Sequence, residues 1–247
     1  MVILRTHGGL GNQIFQLLYA RLYSEQNKAV LGEIHDSNYK HHFPRSLELS
    51  SHKAQLSFLQ RLLSLLRLPK ILNRIGTDRV EKVKLMGSIF LDGYFQSENQ
   101  YKLFKPEKIT QELIRIRNEL KISNIKKEKF LIHLRLGDFF ESFEESKIFA
   151  LTRLRDLPLG ATIITNQEIL LTNSEVKFLI DKANCKVVST IDFTPEEIIR
   201  FMSKFENIIA NDSTLTFWAA VLGGCKVDFR NPELSKLSSI FKGYLCS

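Results

Sequence analysis

Short apolar segments alternate with helix-start signals through the C-terminal half, and this alternation constrains the fold more than any other feature of the sequence. Each signal is a capping residue or a proline just before an amphipathic segment. The signals are Thr172 with Glu175, Thr194 with Pro195 and Glu197, and Asn231 with Pro232. Strands are predicted at 130–136, 161–165, 186–190, 207–210 and 226–229. Short strands that alternate with capped helices predict an α/β fold, in which helices cover both faces of a parallel sheet.

The N-terminal half begins in the same way. A strand is predicted at 2–5, a glycine-rich loop follows it, and a helix is predicted from about Asn12 to Gln26. A second strand is predicted at 29–32, and residues 89–97 predict a strand that runs into a loop. This half is therefore also predicted to be built on a parallel sheet.

A charged segment near the middle of the chain predicts the domain boundary. Ser97 and Gln100 have capping-box spacing ahead of one helix, a charged helix follows at 107–121, and residues 123–129 are strongly polar. The predicted domains are 1–124 and 125–247.

Residues 56–68 form a leucine-rich helical pattern in which Arg61 and Arg67 are interleaved. Two arginines make a weak basic face, so a helix that packs on the core is favoured. A helix that lies on a membrane surface is the alternative.

Composition excludes several classes of protein. The net charge of +8 favours anionic partners, but the basic residues are scattered and lack interleaved aromatic residues, which disfavours a nucleic-acid binder. No apolar run approaches the roughly 18 residues of a membrane span, and Arg5 interrupts the N-terminal run before a secretory core could form. Cys185, Cys225 and Cys246 suggest neither a disulfide framework nor a metal site. We expect a cytoplasmic protein.

Three loops follow predicted strands at the carboxyl ends, where open α/β sheets bind their ligands. The first contains Gly8, Gly9, Gly11 and Asn12. Bare backbone N–H groups ahead of a helix N-terminus suit an anion, and a tight structural turn is the equal alternative. The loop lacks the spacing of a dinucleotide fingerprint and of a Walker loop.

The second loop follows His133 and Arg135, which alternate along one face of the strand end. An arginine at this position can grip a phosphate through two N–H groups. Pairing of Arg135 with a carboxylate and burial of His133 in the core form the alternative.

The third loop, at 211–214, opens a helix that runs to Gly223 and Gly224. Asp212 or Ser213 can serve as a simple N-cap, and the same groups could hold a phosphate. No Asp-x-Asp pair and no cluster with metal-ligand spacing occurs in the sequence.

Four blocks of the sequence together resemble the bacterial α-1,2-fucosyltransferases (glycosyltransferase family 11), and more widely the α-1,2/α-1,6/protein-O-fucosyltransferase superfamily. The third block corresponds to the His-x-Arg-x-Gly-Asp motif of that family. The blocks, in the family's order, are GGLGNQIFQ (8–16), GYFQSENQY (93–101), IHLRLGDFF (132–140) and NIIANDSTLTFWAA (207–220).

The resemblance implies a GT-B-type fold, in which two Rossmann-like parallel-sheet domains face a cleft. The acceptor would bind chiefly to the N-terminal domain and GDP-fucose to the C-terminal domain. The implied reaction is an inverting, metal-independent transfer of L-fucose from GDP-β-L-fucose to a sugar hydroxyl, with O-2 of a galactoside expected, in surface polysaccharide or lipopolysaccharide synthesis. The glycan acceptor could be lipid-linked, with a peripheral contact to the inner face of the membrane. No cofactor is implied.

The resemblance also implies roles for individual residues. Arg135 would stabilise the leaving diphosphate. Asp138 is the candidate base, and Glu141 is an alternative that the sequence does not separate from it. The implied donor contacts are Gly11, Asn12, His133, Arg135, Asn166, Ser213 and Thr214.

Three positions depart from the family pattern. Leu136 stands where many members have a second arginine, Asn166 stands in a turn that is often acidic, and Asp212 replaces a neutral residue near the phosphates. These departures leave two alternatives open, a transferase for another nucleotide-sugar donor and a catalytically inactive nucleotide-sugar-binding relative.

Overall fold

The computed structural model describes residues 1–35, 81–85, 88–122, 128–134, 142–166, 172–210 and 212–246. The chain divides into two compact units. The first comprises Met1–Lys121 together with Lys236–Ser247, and the second comprises Ile122–Ser235. The predicted domains, 1–124 and 125–247, differ from these units chiefly at the C-terminal segment, which clusters with the first unit.

Both units are α/β over the described residues. The strands of the first unit are β1 (Val2–Thr6), β2 (Leu31–His35), β3 (Glu81–Leu85) and β4 (Ser88–Asp92), and its helices are α1 (Leu10–Gln26), α2 (Glu98–Tyr101) and α3 (Pro106–Glu119). The strands of the second unit are β5 (Glu128–Leu134), β6 (Thr162–Thr165), β7 (Lys186–Ser189), β8 (Phe205–Ala210) and β9 (Lys226–Val227). Its helices are α4 (Phe143–Leu154), α5 (Ser174–Lys182), α6 (Pro195–Met202) and α7 (Thr214–Gly223). A last helix, α8 (Pro232–Cys246), begins in this unit and continues in the first.

The sheet of the first unit has the strand order β2-β1-β4-β3. β1 pairs in parallel with β2 on one side and with β4 on the other, and only β3 is antiparallel among the described strands. β1 is buried along its whole length, as its apolar sequence predicts, because strands flanked on both sides and covered by helices lose contact with water. Helix α1 packs beside it through fully buried residues such as Phe15 and Leu18.

The sheet of the second unit is entirely parallel, with the strand order β7-β6-β5-β8-β9. Counted along the chain within this unit, the order is 3-2-1-4-5, which is that of a doubly wound Rossmann-like sheet. The order reverses between β5 and β8, and ligands of such sheets bind outside the carboxyl ends at this point. Ile132 and Leu134 of β5 belong to an apolar cluster with residues of α4 and α5, so His133 points to the opposite face.

Helix α8 is tied to the first unit by specific contacts. Phe241 packs edge-on against Tyr101 with ring centroids 4.9 Å apart, and the Thr110 hydroxyl donates to the backbone carbonyl of Tyr244 at 3.1 Å. The Lys236 ammonium lies 2.5 Å from the carboxylate of Glu98, and this hydrogen bond, with one from Lys102, holds the pKa of that carboxyl below its usual value.

Most helix-start predictions are confirmed. The capping boxes of Ser97 with Gln100 and of Thr194 with Glu197 are present, and the Asn231 side chain accepts hydrogen bonds at the start of α8. The prediction for α5 is wrong by one residue: Asn173 is the N-cap, because its amide oxygen accepts from two backbone N–H groups.

The start of α1 also differs from the prediction, since the helix begins at Leu10 rather than near Asn12.

The leucine-rich segment 56–68, for which a membrane-surface helix was the alternative, lies outside the described residues. Within the described part of the chain, no helix combines the length and the apolar character needed to cross a membrane.

Gly223 is predicted to be essential for the packing of α7. An added Cβ would lie 2.7 Å from Cβ and 2.9 Å from Cα of Ser203, whereas an added Cβ on Gly243 in α8 would meet nothing within 4 Å. Gly223→Ala should lower the free energy of unfolding by about 1–3 kcal/mol through overpacking. Gly243→Ala should raise it by up to about 1 kcal/mol, because alanine is the better helix former. Urea unfolding of both variants tests this contrast, and equal effects would contradict it.

Candidate functional site

The carboxyl ends of three neighbouring strands bring together most of the described residues that the sequence predicted as donor contacts. His133 lies near the end of β5, Asn166 directly follows β6, and Ser213 and Thr214 follow β8. Because β6, β5 and β8 are adjacent and parallel, these residues share one edge of the second sheet. Asn166 is exposed there, whereas His133 and Ser213 are buried.

His133 is held by a threonine on the helix that follows β8. Its Nδ1 lies 3.0 Å from the Thr216 Oγ1, and both side chains are buried. The Thr216 hydroxyl can donate to Nδ1 or accept from it, according to the tautomer of the imidazole. This contact fixes the ring orientation of His133 at the point where the strand order reverses.

Ser213 is the N-cap residue of α7 but does not cap it. It is 1% exposed, its side chain accepts no hydrogen bond from the helix, and its Oγ is buried without a partner among the described residues. The first turn of α7 contains no acidic residue, so nothing within the helix neutralises the positive end of its dipole. A buried hydroxyl beside the first N–H groups of a helix, which lack partners within the helix, is a donor set suited to a phosphate.

The Asp212 side chain is bonded to the segment ahead of α8 and not to the start of α7. Its two carboxylate oxygens accept from the backbone N–H groups of Arg230 and Asn231, at 2.9 Å and 3.0 Å, ahead of α8. Burial and the like charge of Arg230 lower the pKa of Arg153, while Asp212 and Asp228 oppose that shift. The Asp212 carboxylate is thus held by backbone N–H groups ahead of α8 and interacts favourably with the charge of Arg153.

The first unit has its own polar edge, at the carboxyl ends of β1 and β4. Arg5 donates to the Asp92 carboxylate at 3.2 Å, and the Nδ1 of His7 lies 3.8 Å from the same group. The Gln16 side chain accepts from the His7 backbone N–H at 3.1 Å. All four side chains are buried, so this polar network is enclosed in the sheet edge rather than solvated.

Gly11 and Asn12, the other predicted donor contacts, belong to this first unit. Both lie in the first turn of α1 rather than in a loop, because the helix starts at Leu10. Gly11 is buried, and the Asn12 side-chain oxygen accepts from the Gln96 amide at 3.0 Å.

Arg135 and Asp138, the predicted catalytic residues, lie outside the described residues, as do Leu136 and Glu141. Across the described ranges, no group of three or more His, Cys, Asp or Glu side chains is arranged to hold a metal ion.

Sequence reasoning missed two polar residues that shape these edges. Thr216 is a buried hydroxyl in an otherwise apolar helix, and Asp92 is a carboxylate at the end of an apolar strand. A polar residue in such a segment signals a specific partner, but the identity of the partner depends on the three-dimensional fold.

No protein-family model matches the sequence, and no curated protein matches it. Solved structures do match. The fucosyltransferase NodZ from Bradyrhizobium is 15% identical over 90% of this chain and 93% of its own, with a TM-score of 0.49, and NodZ α-1,6-fucosyltransferase has been co-crystallized with GDP. A mutant of FUT1 from Arabidopsis thaliana in complex with GDP is 13% identical over 92% of this chain and 69% of its own, with a TM-score of 0.50.

These comparisons concern the fold. The chain has an α/β fold of the GT-B type, built on two Rossmann-like sheets, as the sequence predicted.

Replacement of Ser213 should distinguish a ligand-binding N-cap from a structural one. Ser213→Ala should leave the free energy of unfolding of the ligand-free protein unchanged or slightly raised, because its hydroxyl makes no hydrogen bond with any described residue. Asn173→Ala is the matched control and should cost about 1 kcal/mol, because that N-cap is satisfied. Denaturant unfolding measures both, and a comparable loss in Ser213→Ala would mean that the hydroxyl supports the fold.

Proposed function

We propose that this protein is a glycosyltransferase that transfers L-fucose from GDP-β-L-fucose to a hydroxyl group of a glycan. The observation that carries the proposal is the buried hydroxyl of Ser213, which has no partner in the part of the chain that the structure describes. It lies at the N-terminus of α7, where the strand order of the second sheet reverses. An anion-binding group in this position is typical of nucleotide sites in doubly wound sheets. The four sequence blocks support fucosyl transfer as the reaction.

The donor would bind at the carboxyl edge of the second sheet. FUT1, whose fold the chain shares, was solved in complex with GDP, and we extend that ligand to this chain. Ser213 and Thr214 would hold the diphosphate together with the N–H groups of α7, and His133 would donate a further hydrogen bond from a ring that Thr216 orients. Asn166 would meet the base or ribose.

The chemistry follows from the charge that develops in the transition state. As the bond from fucose C1 to the phosphate oxygen breaks, negative charge grows on the diphosphate and positive charge on the sugar ring. Arg135 would stabilise the leaving group, and the positive end of α7 would add to it, so the proposed transfer needs no metal. Asp138 is the proposed base, with Glu141 as the alternative, and inversion follows from direct attack by the acceptor hydroxyl.

Galactoside O-2 is the proposed acceptor position, in surface polysaccharide or lipopolysaccharide synthesis, and the four sequence blocks are its support. A peripheral membrane contact would suit a lipid-linked acceptor and the net charge of +8.

Two alternatives rest on particular residues. A neutral Asn166 where a carboxylate would accept from guanine favours a transferase for another nucleotide sugar. Leu136, where a second arginine would add charge stabilisation, favours a nucleotide-sugar-binding relative without turnover.

Calorimetric titration separates these functions. GDP-fucose should bind with a dissociation constant unaffected by a chelator, and GDP-mannose and UDP-galactose should bind at least tenfold more weakly, about 1.4 kcal/mol. Preference for another sugar nucleotide would favour the first alternative. Failure to bind any of the three would contradict a nucleotide-sugar site.

Two variants test the roles within the site. Ser213→Ala should weaken GDP binding about 10- to 100-fold, because a hydrogen bond to a charged group contributes about 1.5–3 kcal/mol. Ser238→Ala is the control: Ser238 also has a buried hydroxyl without a partner among the described residues, but it lies in the first unit.

Arg135→Ala should abolish transfer while GDP binding is retained in weakened form. Normal turnover by that variant would contradict the phosphate role of Arg135.

A further inference from the structure

The segment after β4 is held in an unfavourable backbone conformation. Phe95 has a φ of 52°, in the left-handed region that bulky residues rarely adopt. Two contacts hold it there. The ring stacks on Tyr19 with centroids 4.3 Å apart and planes 10° from parallel, and the Phe95 carbonyl accepts from the Tyr101 hydroxyl at 2.9 Å. Strain that the surrounding structure maintains in this way is concentrated at functional sites.

The bend at Phe95 sends its two neighbours toward the start of α1. Tyr94 is 37% exposed, and its ring lies 5.0 Å from that of His7. The Gln96 amide donates to the Asn12 side-chain oxygen at 3.0 Å. The second sequence block therefore meets the first at the carboxyl edge of this sheet, although Asn12 and Gln96 are 84 residues apart.

Gly8 allows this close approach. An added Cβ there would lie 3.2 Å from the Asn12 amide nitrogen and 3.7 Å from the Tyr94 ring, and its φ of 80° also disfavours a side chain. Gly8, which the sequence places in a candidate anion-binding loop, therefore leaves space for the Tyr94 ring and the Asn12 amide to lie next to each other.

The amide pair retains hydrogen-bonding capacity of both kinds. Asn12 uses its oxygen and Gln96 uses its nitrogen in their mutual bond, which leaves the Asn12 NH₂ as a donor and the Gln96 oxygen as an acceptor among the described residues. Both side chains are half-buried, so these atoms sit at a fixed position on an accessible edge.

We propose that Tyr94, Gln96 and Asn12 form the binding site for the glycan acceptor. A pyranose ring presents an apolar face that packs on an aromatic ring and hydroxyl groups that pair with both a donor and an acceptor. An exposed tyrosine beside a fixed amide pair offers this combination. The proposal rests on the proposed function, since it names the residues that recognise the sugar receiving fucose, and it assigns Asn12 to the acceptor instead of the donor.

The buried side chains of Arg5, His7 and Asp92 support the proposed acceptor site. Arg5 and Asp92 form an ion pair at the ends of the two strands that carry the first and second blocks, and His7 lies between this pair and the Tyr94 ring. A binding group that packs against a buried ion pair loses little conformational freedom when the ligand binds.

An array of oligosaccharides that end in β-galactose tests the site directly, with labelled protein applied in the presence of GDP. The wild-type protein should bind a subset of the array. Tyr94→Ala should weaken that binding about tenfold, and Tyr94→Phe should retain it, because the ring and not the hydroxyl carries the contact. Gln96→Ala should also weaken binding. Phe178→Ala, which removes an aromatic ring that is 64% exposed on α5 of the second unit, is the matched control and should bind as the wild type does.

Calorimetry with GDP on the same proteins separates this inference from the proposed function. Unchanged GDP affinity in the Tyr94 and Gln96 variants, together with lost glycan binding, is the expected result. Undiminished glycan binding by both Tyr94→Ala and Gln96→Ala would overturn the acceptor site, as would a wild-type protein that binds GDP but no glycan on the array. Failure of the wild-type protein to bind GDP would overturn the proposed function itself.

Discussion

Parallel pairing of β5 with β6 on one side and β8 on the other is the constraint on which the candidate site depends. Parallel strands end at the same edge, so the carboxyl ends of all three strands are brought together by the sheet itself. The pairing requires the interior of β5 to be buried on both faces. It therefore restricts polar residues to the two ends of the strand, with Glu128 and Lys129 at its start and His133 near its carboxyl end. Polar side chains that could bind a ligand are therefore found at the edge of the sheet, because its buried middle excludes polar groups.

The buried polar side chains at the two sheet edges differ in their partners. At the edge of the first sheet, Arg5 is ion-paired with Asp92, and His7 lies 3.8 Å from the same carboxylate. At the edge of the second sheet, Ser213 is as deeply buried, and its Oγ has no hydrogen-bond partner among the described residues. A buried ion pair supports the fold, whereas a buried hydroxyl without a partner costs stability that a bound ligand can restore. Ser213 is therefore the group on which the proposed donor site depends.

The alternation of strands and capped helices predicted the second sheet well, because burial and capping are local properties. Thr194 and Glu197 lie three residues apart, and their reciprocal hydrogen bonds need no information from the rest of the chain. The contact of His133 with Thr216 joins residues 83 positions apart, and that of Asn12 with Gln96 joins residues 84 apart. Neither pair has a local signature. The left-handed conformation of Phe95 could not be predicted from the sequence either, because tertiary packing overrides the backbone preference of a bulky residue.

The path of α8 affects how the chain can be divided. The helix begins among residues of the second unit, and its later turns supply Phe241 and Lys236 to the first. The first unit is therefore discontinuous in the chain, and the second unit is an insertion between its two parts. A gene fragment that ends at Lys121 would omit the aromatic partner of Tyr101 and the ion-pair partner of Glu98. Exchange of the second unit between related proteins, by recombination or by design, would require two crossover points, one before β5 and one within α8.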